Sequence, residues 1–429
     1  MAEAGSSPGG QALRGWALPL SRPAAPTRAQ LYELLTVSLA AMAAVGLLAL
    51  RSNLMSPSNP IFAEPGWDHH AYIAMAEDNP FDFHLAPFGW RFLVPLVAAI
   101  LPFSASTSFF LIAFASVAGA TVAMYYLGLH AGESRAWGVV GALFFLALGW
   151  AAKFALVDYW LPDAAAFLAV ALAVLWAIRR QPAAFAITLL VGVAAKEAVL
   201  FALPLWYTLQ AQRLLDWRVL RETALVAIPA LVLLVAVRVL IDARNDDLAY
   251  VATLPANLRQ FREFIPAYNY LDLLRDIGWD IRAHDRTQET FLLYTTGTWG
   301  VPILTLAAIG AVRNPLLALR LSPFLLLVYA QLLFALNIER LLVFGFPAMI
   351  WLAIVGARAL VDSPRDPRVV LVVALGACLV ALNFRDPDSI PIGFELQTFL
   401  LMAFLALIVG LRVPLWRDAA AERSHGDPR

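Results

Sequence analysis

Long apolar runs recur along this chain and limit what it can fold into. A run of about 20 apolar residues is long enough to cross the hydrocarbon core of a bilayer as a helix. The sequence contains ten such runs, near residues 31–50, 105–129, 136–156, 163–178, 222–241, 291–312, 321–336, 341–360, 369–383 and 395–411. A further apolar stretch, 183–211, is interrupted by Lys196-Glu197 and is interpreted as two short spans. The sequence therefore predicts an all-α, polytopic transmembrane bundle of about 12 spans.

Composition supports a bilayer as the main solvent and excludes several other classes. The residues are 61% hydrophobic and only 14% charged, whereas a soluble domain has about a quarter of its residues charged. The 31 basic residues are balanced by 31 acidic ones, so no basic excess favours nucleic acid as a partner. The single cysteine, Cys378, excludes an intrachain disulfide and a Cys-rich metal site.

The distribution of arginine and lysine predicts the orientation of the chain in the membrane. Cytoplasmic loops collect these residues, and the alternation stays in phase when both termini lie inside. We expect a cytoplasmic tail at 1–30, a transmembrane domain at 31–417 and a second cytoplasmic tail at 418–429. Two long loops, 51–104 and 242–290, then lie on the outer side.

Both outer loops contain apolar segments that are predicted to lie on the membrane surface. In the second loop, apolar residues recur at three- to four-residue steps, typical of an amphipathic helix: Leu258, Phe261, Ile265, Tyr268, Leu271, Leu274 and Ile277. In the first loop, Leu93–Leu101 is too short to span and is bracketed by prolines. It is interpreted as a surface-lying or re-entrant helix.

The first outer loop also carries the densest group of ionisable residues. Asp68 begins a short predicted helix, where its carboxylate is a candidate general base on an acceptor hydroxyl. Arg91 is a candidate phosphate ligand, and His69 or His70 is a candidate contact for phosphate or a divalent cation. The alternatives are that Asp68 only caps the helix and that Arg91 anchors the interface. Adjacent histidines on a helix point apart, which makes them a weak metal signal.

Three further sites place charge where the sequence is otherwise apolar. Lys196 and Glu197 do not face each other on a helix, so each is expected to have another partner. Arg340 lies between two predicted spans and is a candidate ligand for an anionic headgroup, or else part of a local salt bridge. Asp158 is a candidate cavity residue, whereas Asp163 is interpreted as the N-cap of the next span.

On the predicted topology, six of these charged residues lie at the same outer face. An unpaired charge is costly at membrane depth, so we expect them to share one water-filled cavity with an anionic ligand. The six are Asp68, Arg91, Asp158, Lys196, Glu197 and Arg340. The sequence contains no Gly-rich phosphate loop, HExxH or Ser-His-Asp signature, which argues against a nucleotide-driven pump.

With these features the sequence resembles the GT-C superfamily of polytopic membrane glycosyltransferases. The resemblance lies in a cytoplasmic N-terminus, a long first outer loop and the segment Asp68-His69-His70-Ala71-Tyr72-Ile73-Ala74-Met75-Ala76. Two more segments, Arg91-Phe92-Leu93-Val94-Pro95 and Lys196-Glu197, are similar to motifs of uncharacterised bacterial membrane proteins near this superfamily. The chain differs in having His69 where many members have a second acidic residue, and it shows no soluble outer domain.

The resemblance implies an enzyme of the bacterial cytoplasmic membrane that uses a polyprenyl-phosphate sugar donor. Asp68 would deprotonate the acceptor hydroxyl, and Arg340, Lys196 or Arg91 would stabilise the leaving phosphate. A divalent cation is a possible cofactor, membrane lipids are expected partners, and no protein partner is indicated. The alternatives are a transporter or flippase for an amphiphilic substrate, in which the same charges line a pathway, and a non-catalytic scaffold.

Overall fold

The helices of this chain were identified in a computed structural model. It describes residues 27–64, 67–243, 247–259, 288–331, 338–361 and 367–385, with residues 399, 400 and 403. The helices are α1 Arg28–Arg51, α2 His69–Glu77, α3 Leu93–Ile100, α4 Ala105–Gly132, α5 Arg135–Ala147, α6 Phe154–Val157, α7 Asp163–Ile178, α8 Pro182–Ala195, α9 Leu203–Gln210, α10 Trp217–Leu240, α11 Leu248–Thr253, α12 Ala256–Arg259, α13 Gln288–Trp299, α14 Val301–Arg313, α15 Pro315–Ala330, α16 Ile338–Leu342, α17 Phe346–Ala359 and α18 Pro367–Arg385. All regular structure formed by the described residues is helical, so the predicted all-α class is confirmed.

Among the described residues, four helical segments are long and apolar enough to cross a membrane. They are α1, α4, α10 and the segment Glu339–Ala359, which includes α17. A fifth span results if α5 and the segment Gly149–Val157, which meet at a bend of 66°, are counted as one. Shorter apolar helices include α7, α8, α14 and α15. These helices support a membrane protein, whereas the predicted number of 12 spans is not confirmed.

The long helices differ in how much protein surrounds them. About a quarter of the apolar window of α1 and of α10 is buried, compared with 89% for Glu339–Ala359. Large apolar side chains such as Leu50 and Val239 are exposed on the two peripheral helices. In a membrane, those exposed faces meet lipid, so α17 lies inside the bundle and α10 on its periphery.

The predicted interruption of residues 183–211 is present in the structure. Helix α8 ends at Ala195, and the next residue, Lys196, has an extended backbone with φ −160° and ψ 127°. A 3-10 turn over Glu197–Ala202 then leads into α9. The predicted span 291–312, by contrast, is not continuous, because Gly300 with φ 74° separates α13 from α14. Glycine adopts this left-handed backbone without a steric penalty, which the apolar pattern alone did not reveal.

The two predicted surface segments have different outcomes. Residues Leu93–Ile100 form the short helix α3, consistent with a segment too short to span. In the second loop, Leu258 is buried in α12. The remaining residues of the predicted amphipathic helix, Phe261 to Ile277, lie outside the described residues, as does most of the predicted span 395–411.

The interior of the bundle depends on a close crossing of α14 and α17. A Cβ atom added at Gly356 would lie directly against the carbonyl oxygen of Leu306. A Cβ added at Gly310 would meet the carbonyl oxygen of Leu352 in the same way. Small residues allow two backbones to approach this closely, which is how helices pack inside membranes.

We expect Gly356→Ala to destabilise the protein. The added methyl group meets backbone that cannot move without separating the helices, at a cost of about 1–3 kcal/mol. Gly46→Ala in α1 is the matched control, since its nearest atom would be Phe114 Cε2 at 3.8 Å. The measurement is the unfolding temperature of the purified protein in detergent. Equal effects of the two substitutions would contradict a tight crossing.

Candidate functional site

Four charged residues from distant parts of the chain meet at the ends of helices. Asp68 directly precedes α2, and Asp163 is the first residue of α7. Lys196 terminates α8, and Arg340 lies in the short helix α16. Because each lies at or near the end of a helix, their side chains can approach one another without interrupting the packed helices between them.

Asp163 is the centre of this group and is completely buried. Its Oδ1 atom lies 2.5 Å from the Lys196 ammonium nitrogen. Arg340 approaches the same carboxylate, with Nη2 3.3 Å from Oδ2. The interpretation of Asp163 as an N-cap is therefore wrong. Pro162 occupies the cap position, and the Asp163 side chain is used in ion pairs instead.

Arg340 extends the group to the segment that precedes α2. Its Nη1 atom donates a hydrogen bond of 2.8 Å to Oδ2 of Asp68. Asp68 does not cap α2 with its side chain, so the alternative capping role is excluded. Among the described residues, the Asp68 Oδ1 atom has no hydrogen bond, and 23% of the side chain is exposed.

A second ion pair lies beside the first. The guanidinium of Arg91 binds both carboxylate oxygens of Glu197, at 3.0 Å from Nε and 2.5 Å from Nη2. It also contacts the buried Tyr72 hydroxyl at 3.4 Å. Lys196 and Glu197 thus have different partners, as expected, because the extended backbone at Lys196 directs consecutive side chains to opposite sides.

Asp158 lies close enough to the same group to interact with it electrostatically. It is 97% buried, and its Oδ1 atom has no hydrogen-bond partner among the described residues. Burial raises the pKa of Asp158 to about 8, although Arg340 acts in the opposite direction. Burial thus favours the protonated form of this carboxyl.

The two histidines do not point apart, contrary to the expectation for adjacent helical residues. Their ring centroids are 4.2 Å apart, and the His69 ring stacks on Phe62 at 4.8 Å. His69 Nε2 bonds to the Phe62 carbonyl, and His70 Nε2 bonds to the Glu64 carbonyl. Burial lowers the pKa of His69 to about 4, so it is neutral at pH 7. Both rings thus hold the preceding loop.

No arrangement suited to a metal ion is found in the part of the chain that the structure describes. No three His, Cys, Asp or Glu side chains there are grouped so that they could hold one. The carboxylates Asp68, Asp163 and Glu197 are instead paired with cations.

The cations of the site are paired with its carboxylates. Arg91 pairs with Glu197, Lys196 pairs with Asp163, and Arg340 pairs with both Asp68 and Asp163. The sequence analysis invoked an anionic ligand to satisfy the cations. The structure shows that the side chains satisfy one another directly. No anionic ligand is therefore needed to pair these cations.

Sequence reasoning identified most of this site but missed two of its members. Tyr72 and Asp163 were not singled out as site residues. The signal for Asp163 is its position at the start of an apolar helix directly after Pro162, where a buried carboxylate needs a cation. Tyr72 has the spacing of an ordinary core aromatic, and its contact with Arg91 is visible only in the fold.

No protein-family model matches this chain, and no curated protein is significantly similar to it.

We expect Asp163→Asn to destabilise the protein strongly. The substitution leaves the buried Lys196 ammonium without its closest anion, and breaking a buried ion pair costs about 3–5 kcal/mol. Adding Lys196→Met should recover part of the loss, because the uncompensated charge is removed. The measurement is the unfolding temperature in detergent.

The control is Glu133→Gln, which breaks the exposed pair between Glu133 and Arg358 at the surface. Exposed pairs contribute about 0–1 kcal/mol, so this variant should stay close to the wild type. A comparable loss in both variants would contradict the central role of Asp163.

Proposed function

We propose that this chain is a membrane glycosyltransferase that moves a sugar from a polyprenyl-phosphate donor to an acceptor hydroxyl at the non-cytoplasmic face. The proposal rests on the pairing and the partial exposure of the Asp68 side chain. Arg340 engages one carboxylate oxygen, while the side chain stays partly exposed. Asp163, by comparison, is completely buried, and both oxygens of Glu197 are bound by Arg91. Asp68 is therefore the carboxylate best placed to meet a substrate.

Asp68 acts as the general base in this proposal. Its free oxygen accepts the proton of the acceptor hydroxyl while the hydroxyl oxygen attacks the anomeric carbon of the sugar. The bond between that carbon and the phosphate oxygen breaks, and polyprenyl phosphate leaves with the electron pair. Attack from the face opposite the phosphate inverts the anomeric configuration. A positioned base of this kind accelerates a reaction by about 10²–10⁴-fold.

Arg340 links the two charge changes of the reaction. Before transfer it neutralises Asp68 through the 2.8 Å hydrogen bond. When Asp68 takes up the proton it loses its charge, and the leaving phosphate gains one at the same time. Arg340 can then pair with the phosphate without leaving a buried carboxylate unpaired. By exchanging Asp68 for the phosphate, Arg340 allows a site whose cations are already paired to stabilise an anionic leaving group.

A transporter or flippase for a lipid-linked substrate is the second candidate. The observation in its favour is the interruption of α8 at Lys196 within a charged site. Interrupted helices that place charges in the bundle interior are typical of transporters. The two functions differ in whether the substrate is chemically changed.

We expect Asp68→Asn to reduce transfer about 10²-fold or more, because an amide cannot accept the proton. The measurement is release of polyprenyl phosphate from a panel of polyprenyl-phosphate sugars by the purified protein in liposomes. Glu77→Gln is the matched control, since Glu77 is an exposed carboxylate at the other end of α2. It should leave turnover and abundance unchanged.

Full activity of a well-folded Asp68→Asn variant would overturn the general-base role. Movement of intact donor across the liposome membrane, without release of polyprenyl phosphate, would favour the transporter instead. Because Asp68 pairs with Arg340, the unfolding temperature of each variant is measured alongside activity.

A further inference from the structure

Helix α7 has charged residues at both of its ends. Asp163 begins the helix at the charged site, and Arg179 and Arg180 directly follow its last residue, Ile178. The 16 residues of the helix separate the two ends by about 24 Å, compared with about 30 Å for the hydrocarbon core of a bilayer. With Asp163 near one interface of a membrane, the two arginines therefore lie near the other.

Arg179 is held against two aromatic rings from different helices. Its guanidinium carbon lies 5.7 Å from the centroid of the Tyr126 ring in α4 and 5.8 Å from that of the Trp176 ring in α7. Both aromatic residues are partly buried, whereas Arg179 is exposed. An aromatic contact restrains a guanidinium through its face and leaves the N–H donors at its edge. Tyrosine and tryptophan are also typical of the membrane interface.

The donors of Arg179 and Arg180 are available to a ligand. Among the described residues, neither guanidinium donates a hydrogen bond or takes part in an ion pair. Arg180 instead interacts electrostatically with another cation, Arg320. The two arginines thus present unused donors on a cationic surface.

Two carboxylates lie close enough to this surface to act on the same neighbours as Arg179, and both are held by other cations. The two oxygens of Glu33 accept hydrogen bonds from the Tyr125 hydroxyl and from Arg135. Glu133 pairs with Arg358. An anion from outside the protein can therefore bind the arginines without displacing a carboxylate from them.

We propose that Arg179 and Arg180, with the rings of Tyr126 and Trp176, bind the phosphate headgroup of an anionic lipid in the membrane leaflet opposite to the charged site. The planar fork of an arginine matches two phosphate oxygens, and the amphipathic rings suit the boundary between headgroups and acyl chains. Basic residues at a membrane surface favour lipids with a net negative charge. The lipid site is separate from the residues assigned to catalysis and does not depend on the proposed function.

The experiment measures the dissociation constant of phosphatidylglycerol for the full chain in a neutral detergent, by native mass spectrometry. Phosphatidylcholine, which has no net charge, and inorganic phosphate are the comparison probes. We expect the wild type to bind phosphatidylglycerol more tightly than either. Arg179→Ala should weaken that binding about fivefold or more, the contribution of one arginine beside anionic lipid. Arg179→Lys should weaken it less, because the charge is kept while the planar fork is lost.

Arg218→Ala is the matched control. Arg218 is an exposed arginine in the first turn of α10 and pairs with Glu222 on its own helix. This variant should bind phosphatidylglycerol like the wild type. Because the Arg179 side chain is exposed, we expect Arg179→Ala to keep the unfolding temperature of the wild type. If it fails to fold, the smaller loss expected for Arg179→Lys remains the test.

Three results would overturn the proposal. Equal binding of phosphatidylcholine would show that the charge of the headgroup is not recognised. Binding of inorganic phosphate with the same dependence on Arg179 would indicate a site for soluble anions. Equal losses in Arg218→Ala and Arg179→Ala would indicate attraction to surface charge alone.

Discussion

The ionised carboxylate of Asp163, buried at the start of α7, constrains the rest of the structure. A charge without water is stable in a protein only if cations and hydrogen bonds replace the solvent, and the cost of failing to do so is several kcal/mol. Lys196 and Arg340 fulfil that role. Lys196 directly follows α8, and Arg340 lies in the short helix α16 at the start of the buried segment Glu339–Ala359. The buried anion is thus contacted by cations at the ends of two other helical segments.

The same constraint organises the neighbouring ion pairs. Because Lys196 must reach Asp163, the extended backbone at that residue directs Glu197 the other way, where Arg91 binds it. Arg340 has donors left over after pairing with Asp163, and one of them holds Asp68. The segment around Asp68, between α1 and α2, is therefore attached to the bundle by charges. Asp68 is the member of this network with both a fixed position and a partly exposed side chain.

The pairing of cations with carboxylates affects what such a site can do. Cations paired in this way attract anions less than an exposed basic patch does. In the proposed transfer, Asp68 is neutralised by a proton while the departing phosphate gains a charge, and Arg340 can change from one partner to the other. The broken helix at Lys196 equally suits movement of a charged substrate, so the chemistry of Asp68 separates the two functions.

Much of the site could be predicted from one rule, that a charge in an apolar setting needs a partner. The rule selected Asp68, Arg91, Lys196, Glu197 and Arg340, all of which the structure places in the two linked ion-pair groups. It failed where a local explanation was at hand. Asp163 was assigned to a helix cap, because short-range capping is common at the start of helices.

The prediction for His69 and His70 also failed, because it considered only the local geometry of the helix. Helical periodicity separates adjacent side chains, yet both rings turn back to carbonyl groups of the preceding loop. Those carbonyls belong to the 3-10 helix Pro60–Ala63 and to Glu64 directly after it. Local helical geometry predicted the backbone of α2 but did not predict the hydrogen-bond partners of the two histidine rings.

The sequence by itself determined that the chain is helical, that its long apolar segments suit a membrane and that α8 breaks at Lys196. These properties depend on neighbours within a few residues, such as runs of apolar side chains and a charge pair inside them. The tertiary structure alone decided which charges pair, where Gly300 divides a helix and that Gly310 meets α17. The reason is distance along the chain: Asp68 and Arg340 are 272 positions apart, and no local pattern encodes their contact.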